Sequence, residues 1–289
     1  MTEPIHRFTV GSITCTLVSD GGAAYPAAWV FAGAPDAERE RELAGRGIPA
    51  DVPSRLNCLL IETGGQRILV DTGMGGFVPT TGKLPESLRA AGYGPGDIDT
   101  VIISHGHPDH IGGNVDAAGR PAFPNARYVM WEDEWRFWTD ETVLARLEAG
   151  SIYGLGPLES QMADFARRHL GPIAGRLDLI NRAGEIAPGI EAIPAPGHTP
   201  HHLALAISSG DERLLLPVDV ALNPLHLERP TWWPAFDQDR EQALATRRRI
   251  LAEAAADDAL VFFYHFPAPA LGRVIAHGDG WRWEPDTTR

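Results

Sequence analysis

The stretch Val101-Ile102-Ile103-Ser104-His105-Gly106-His107-Pro108-Asp109-His110-Ile111-Gly112-Gly113 decides how the rest of the chain is read. It opens as a short apolar run, the pattern of a strand buried on both faces. Alternate side chains of an extended chain share a face, so His105 and His107 can point the same way. Pro108 and the glycines after His110 force a tight change of direction, which can bring Asp109 and His110 beside the first pair. A lone histidine is more often a hydrogen-bonded core residue than a ligand. Four metal-competent side chains within six residues at a strand end are different, because burying them without a cation is costly.

Working outward, two segments look alike. Asn57 to Asp71 runs strand, Gly64-Gly65 turn, strand, and ends in Leu69-Val70-Asp71. His202 to Asp219 runs strand, Ser209-Gly210-Asp211 turn, strand, and ends in Pro217-Val218-Asp219. Each reads as a hairpin, and the repetition suggests a pseudo-symmetric α/β sandwich. Upstream, Phe8 to Val18 reads as a strand closed by Asp20-Gly21-Gly22 as a turn. Residues 23–56 read as a loop with a short helix in the charged stretch Asp36 to Arg46. Trp131, Trp135 and Trp138 recur at helical spacing and read as a packed core face rather than a substrate platform. Helices near residues 141–149 and 160–170 end at Gly150 and Gly171. A longer helix over 240–256 is capped by Asp239, with Gln242 completing a start like a capping box. No low-complexity tract or linker divides the chain, so residues 1–289 read as a single domain.

Composition narrows the function. An apolar share of 44% and a charged share of 22% suit a globular protein with a sizeable core. A formal charge of −13 argues against nucleic acid or an anionic membrane as partner, since phosphate binding needs a field of Lys and Arg. Cys15 and Cys58 both lie in strand-like stretches and read as buried free thiols, because two cysteines make no disulfide framework. Met1 to Val10 has no apolar core of signal-peptide length, and no run of about 18 apolar residues suggests a membrane span. A cytoplasmic protein is the expectation.

The HxHxDH pattern of His105 to His110 resembles the metal motif of the metallo-β-lactamase superfamily, and the resemblance covers most of the chain. Leu69-Val70-Asp71-Thr72-Gly73 is similar to the superfamily's early Asp-Thr-Gly motif, and Pro196-Gly197-His198-Thr199-Pro200 to the segment that supplies a further histidine. Asp219 fits the bridging carboxylate and His265, in His265-Phe266-Pro267, the last histidine. The resemblance implies an α/β fold, the four-layer αββα sandwich. It implies two divalent metal ions per chain. His105, His107 and His198 would hold one, Asp109, His110 and His265 the other, and Asp219 would be shared. Such ligands suit zinc, with iron, manganese or cobalt as alternatives. Asp71 is expected either to orient a ligand histidine or simply to form a turn, and His202 to hydrogen-bond behind the ligands.

The reaction so implied is hydrolysis of an ester, lactone or phosphotriester-type bond of a small molecule by a hydroxide bridging two ions. Asp109 is the candidate to guide that hydroxide and protonate the leaving group. The chain is most similar to the branch containing methyl parathion hydrolase and the N-acyl homoserine lactonases, on Thr80 to Pro85, Phe123 to Ala126 and His265 to Gly272. Lactonases place a tyrosine three residues past the shared aspartate; here that residue is Leu222, which shifts the expectation towards the parathion-hydrolase-like group. N-acyl homoserine lactonase activity and an iron-dependent redox reaction stay open as alternatives. The substrate pocket is expected to draw on Trp29, Phe31, Leu222, His226, Trp232 and Trp233, with Phe236 nearby. The Trp232-Trp233 pair equally suits a homodimer contact. His6, His169 and His277 read as surface residues.

Overall fold

In the computed structural model, which describes residues 5–288, the apolar runs build two seven-stranded sheets. The first holds β1 (His6–Val10), β2 (Ile13–Pro26), β3 (Asp51–Thr63), β4 (Gln66–Val70), β5 (Thr100–Ile103), β6 (Arg127–Trp131) and β7 (Leu177–Ile180), side by side in chain order. Pairing is antiparallel from β1 to β4 and parallel from β4 to β7. The second holds β8 (Gly184–Ala187), β9 (Ile190–Pro194), β10 (Leu203–Ser209), β11 (Glu212–Leu216), β12 (Leu260–Phe262), β13 (Leu271–His277) and β14 (Gly280–Pro285), again in chain order. Only β11 and β12 run parallel there, among the described residues.

Helices α1 (Ala27–Val30) and α2 (Asp36–Arg46) connect β2 to β3, and α3 (Leu84–Ala90) connects β4 to β5. The single turn α4 (Pro108–Ile111) follows β5. Three helices, α5 (Glu132–Thr139), α6 (Glu141–Glu148) and α7 (Pro157–Leu170), lie between β6 and β7. Two more, α8 (Leu225–Glu228) and α9 (Arg240–Ala256), lie between β11 and β12. Helices α3 and α5 pack on the first sheet, α8 and α9 on the second, so the layers run αββα. One apolar cluster draws on both sheets, from Leu60 and Ile102 to Leu205 and Val261. All four residues of β5 are buried, which is why that strand reads as a continuous apolar run.

The two hairpins are present as β3–β4 and β10–β11, and each is followed by a parallel neighbour. Leu69 pairs with Val101 across β4 and β5, and Leu215 with Val261 across β11 and β12. Parallel strands end on the same side, so Asp71, His105, Asp219 and His265 all follow strand ends of this kind. Helix α9 begins where the cap predicts, with the Asp239 carboxylate accepting the Gln242 N–H. Cys15 and Cys58 are free and buried.

The amino-terminal reading needs correcting. Asp20-Gly21-Gly22 does not end a strand, because β2 continues to Pro26 through a register shift between Ser19 and Gly22. Gly21 takes φ 102°, which a bulge tolerates in glycine. Residues 23–26 and 51–56 are therefore strand rather than loop. The Asp20 carboxylate is buried and accepts the N–H groups of Met74, Gly75 and Leu84, fixing the loop after β4. His169 is half-buried rather than on the surface, stacked on Phe165 at 4.6 Å. No helix among the described residues is long and apolar enough to cross a membrane.

Candidate metal centre

Beyond β5 the chain stays extended through His107, and Pro108 then starts α4 at the position where its missing N–H costs nothing. That turn presents Asp109 and His110 next to His105 and His107. Gly106 is required by packing: a Cβ there would lie 2.2 Å from the Trp138 ring. His198 arrives from the loop between β9 and β10, Asp219 from the turn after β11, and His265 from the segment after β12.

Ligand atoms of these seven residues form three overlapping groups, each within 4.8 Å: His105, His107 and His198; His105, His110 and Asp219; Asp109, His110 and His265. His107 Nδ1 lies 2.9 Å from His198 Nε2. Asp219 turns Oδ2 to His198 and His265, each at 3.2 Å, and Oδ1 to His110 Nε2 at 3.4 Å. Asp109 Oδ2 is 3.6 Å from His265 Nε2. Every group combines residues from the first sheet's half of the chain with one from the second's.

The buried His105 Nε2, His110 Nε2 and Asp219 Oδ1 have no hydrogen-bond partner in the protein. Buried polar atoms are normally paired, and three orphans facing one point are costly unless a cation takes their lone pairs. Imidazole nitrogens and carboxylate oxygens are the donors divalent transition metals accept, so the residues fit a metal centre.

Electrostatics within the cluster pull in opposite directions. Burial, helped by neighbouring imidazoles, pushes His105 and His107 well below the ordinary histidine value. Burial also opposes charge on His110, but Asp219, Asp71 and Asp109 outweigh it and hold the imidazole well above that value. His198 rises to about 9, because bonds to Asp219 and Asp237 overcome the same burial. Burial would raise the Asp219 carboxyl, yet His265 and His110 keep it well below the carboxylate range.

Residues behind the ligands orient them. Asp71 makes its turn with φ 58° and also accepts from Ser104 N–H, Ser104 Oγ and, at 2.8 Å, His110 Nδ1. His202, lowered to about 3 chiefly by burial, accepts the Asp219 N–H through Nε2. Further supports carried no sequence signal. Glu134, fully buried on α5, accepts Gly106 N–H and Trp138 Nε1 on one oxygen and Thr199 Oγ1 and His201 N–H on the other. One carboxylate thereby fastens both histidine loops. Asp237 accepts from His198 Nδ1 at 2.9 Å and from Arg247 of α9 at 3.1 Å. Ser54 Oγ lies 2.9 Å from His265 Nδ1, and the Tyr153 hydroxyl 3.1 Å from His107 Nε2.

His107, Asp109, His198, Asp219 and His265 form the floor of a cleft of about 170 Å³ whose walls are mainly apolar, with His105 and His110 buried beneath. Met74, Phe77 and Val78 line it together with Leu158, Met162 and Phe165 of α7, and Phe77 meets Phe165 edge to face at 4.8 Å. Those α7 residues follow helical spacing, so one stripe of the helix faces the cleft. Leu222 lines the cleft as expected, with Tyr25 and Phe236. A roomier groove of about 490 Å³, lined by Ser19, Thr80, Lys83 and Glu86 among others, contains none of the seven ligands.

Five residues expected in the pocket do not line it. Phe31 and Trp232 are buried in a separate apolar cluster with Leu225, which removes Trp232 from any dimer surface as well. His226 is buried, donating from Nε2 to Val30 O and accepting Leu222 N–H on Nδ1. Trp29 meets Phe236 edge to face at 6.2 Å, and Trp233 lies under the Arg240 guanidinium at 3.8 Å. Trp138 is core, as the helical spacing predicts, and its ring also packs 5.5 Å from His107. Trp131 ends β6 instead of joining the helix.

Comparison with known proteins agrees with this geometry. The family model described as the metallo-beta-lactamase superfamily matches residues 52–265. N-acyl homoserine lactonase AiiA of Bacillus thuringiensis subsp. kurstaki is 28% identical over 229 residues, covering 72% of this chain and 80% of its own length. The structure of AidC, described as a dizinc quorum-quenching lactonase in complex with a product, is 28% identical and superposes with a TM-score of 0.91 over 99% of this chain and 98% of that one. The hydrolase AbOPH shares the fold at 23% identity and a TM-score of 0.90, over 100% of this chain and 99% of its own.

Proposed function

Because the chain belongs to the metallo-beta-lactamase superfamily, we propose that it is a two-ion hydrolase that opens the lactone ring of a small molecule bearing an apolar tail. The observation that carries this reading is the convergence of seven candidate ligand side chains, five of them lining the floor of a mainly apolar cleft. His105, His107 and His198 would hold one ion and Asp109, His110 and His265 the other, with Asp219 available to both. Zinc is the metal proposed, on the donor set and on the dizinc description of AidC. Two such ions supply Lewis acidity and a hydroxide nucleophile at neutral pH.

The chain's own residues supply orientation and proton handling. The apolar walls exclude water and align the tail, which brings the lactone carbonyl to the floor. Tyr25 lines the cleft on the side of Asp109 and Asp219. A phenol is protonated at neutral pH, so Tyr25 can donate to an oxygen gaining charge. Leu222 offers no such donor. Asp109, half-buried at the cleft floor, would take up the proton that the attacking oxygen gives up on adding to the carbonyl and pass it to the ring oxygen as the ring C–O bond breaks.

Metal analysis of purified protein, followed by a panel of N-acyl homoserine lactones, aryl esters, phosphotriesters and β-lactams, tests the reading. Two zinc ions per chain and a preference for lactones are expected. Turnover unaffected by chelators, in protein without bound metal, would sink it. One iron per chain would favour redox chemistry instead.

A further inference from the structure

The two ring nitrogens of His107 have separate destinations. Nδ1 meets His198 Nε2 at 2.9 Å, inside the first ligand group, while Nε2 lies 3.1 Å from the Tyr153 hydroxyl. Tyr153 stands between α6 and α7, in a segment without regular structure to hold it. Glu159 does the holding. This residue of the first turn of α7 is fully buried, and its Oε2 accepts the backbone N–H groups of Ile152 and Tyr153. Its Oε1 accepts that of Leu155. Three charge-assisted bonds to one carboxylate are a strong local restraint. The Tyr153 ring meets the imidazole at 5.6 Å and the Trp138 ring meets it at 5.5 Å, so His107 is braced by two aromatic side chains.

A neutral imidazole carries one proton, and the partner of one nitrogen decides which nitrogen remains free for a metal. We propose that Tyr153 is a positioning residue for the first ion, its hydroxyl oxygen accepting the Nε2–H of His107 so that the unprotonated Nδ1 faces the ion. Glu159 makes this dependent on α7. The helix that walls the cleft with Leu158, Met162 and Phe165 therefore also sets how firmly one ion is held. The inference rests on His107 being a ligand, as in the proposed function.

Ion-free protein titrated with Co²⁺ against a chromophoric chelator, with the cobalt absorption spectrum recorded, tests it without substrate. Tyr153→Phe should weaken one of the two ions by about 10–100-fold and leave the other at its wild-type affinity. Its cobalt spectrum should change only in the bands of the weakened ion. Glu159→Gln should weaken the same ion by a smaller factor, and it decides the matter if Tyr153→Phe does not fold. Wild-type affinity at both sites in the variant that folds would overturn the proposal. Equal weakening of both ions, together with a lowered melting temperature of the ion-free protein, would also overturn it, by showing general loosening. Wild-type protein that binds no cobalt would end the two-ion reading itself, and this inference with it.

Discussion

Asp109 and Tyr25 line the same cleft, and single substitutions separate the duties proposed for them. Asp109→Asn should lower kcat by about 10²-fold or more while at least one ion is retained, read by metal analysis beside steady-state kinetics. Unchanged kcat would remove the proton-transfer role. Tyr25→Phe should lower kcat/KM by about 10²-fold with metal content unchanged, the size expected for one lost donor to a charged oxygen. The seven clustered candidate ligands could be picked out because four of them adjoin in His105 to His110 and the others sit in short recognisable segments. Tyr25, Glu134, Tyr153 and Asp237 could not, since each is an isolated residue whose meaning comes from a tertiary neighbour. The pocket aromatics misled for a related reason. A large apolar side chain goes wherever most surface can be buried, and for Phe31 and Trp232 that place is a cluster away from the cleft.

At the scale of elements, α9 is tied to the metal floor through Arg247. This fully buried guanidinium donates to Val220 O, Pro230 O and Asp237, and Asp237 in turn orients His198. Arg247→Met would leave the Asp237 charge without its cation, at a cost of about 3–5 kcal/mol in stability measured by denaturant unfolding. Asp239→Ala, which removes only the α9 cap, should cost about 1 kcal/mol and leave zinc content unchanged. A smaller effect of Arg247→Met than of Asp239→Ala would contradict this account. The α9 boundaries could be read because a cap is a local signal. The length of β2 could not, because Asp20-Gly21-Gly22 has turn composition, and only pairing with β3 makes it a bulge within a continuous strand.

On the scale of the whole molecule, ion removal should act on stability as well as on activity. An ion bound only by the folded state adds about 2.7 kcal/mol when present at a hundred times its Kd. Exhaustive dialysis against chelator should therefore lower the melting temperature, and added zinc should restore it. An identical transition before and after dialysis would argue that the site stays empty in the purified protein. Each group of ligands takes members from both halves, yet the chain passes from β7 to β8 through only Asn181, Arg182 and Ala183, all exposed. A protease cut at that crossing would yield two fragments, each with an entire sheet and neither with a complete set of ligands. Zinc should then serve as a chemical switch for reassembly, with fragment complementation rising in step with added ion and collapsing when it is withdrawn.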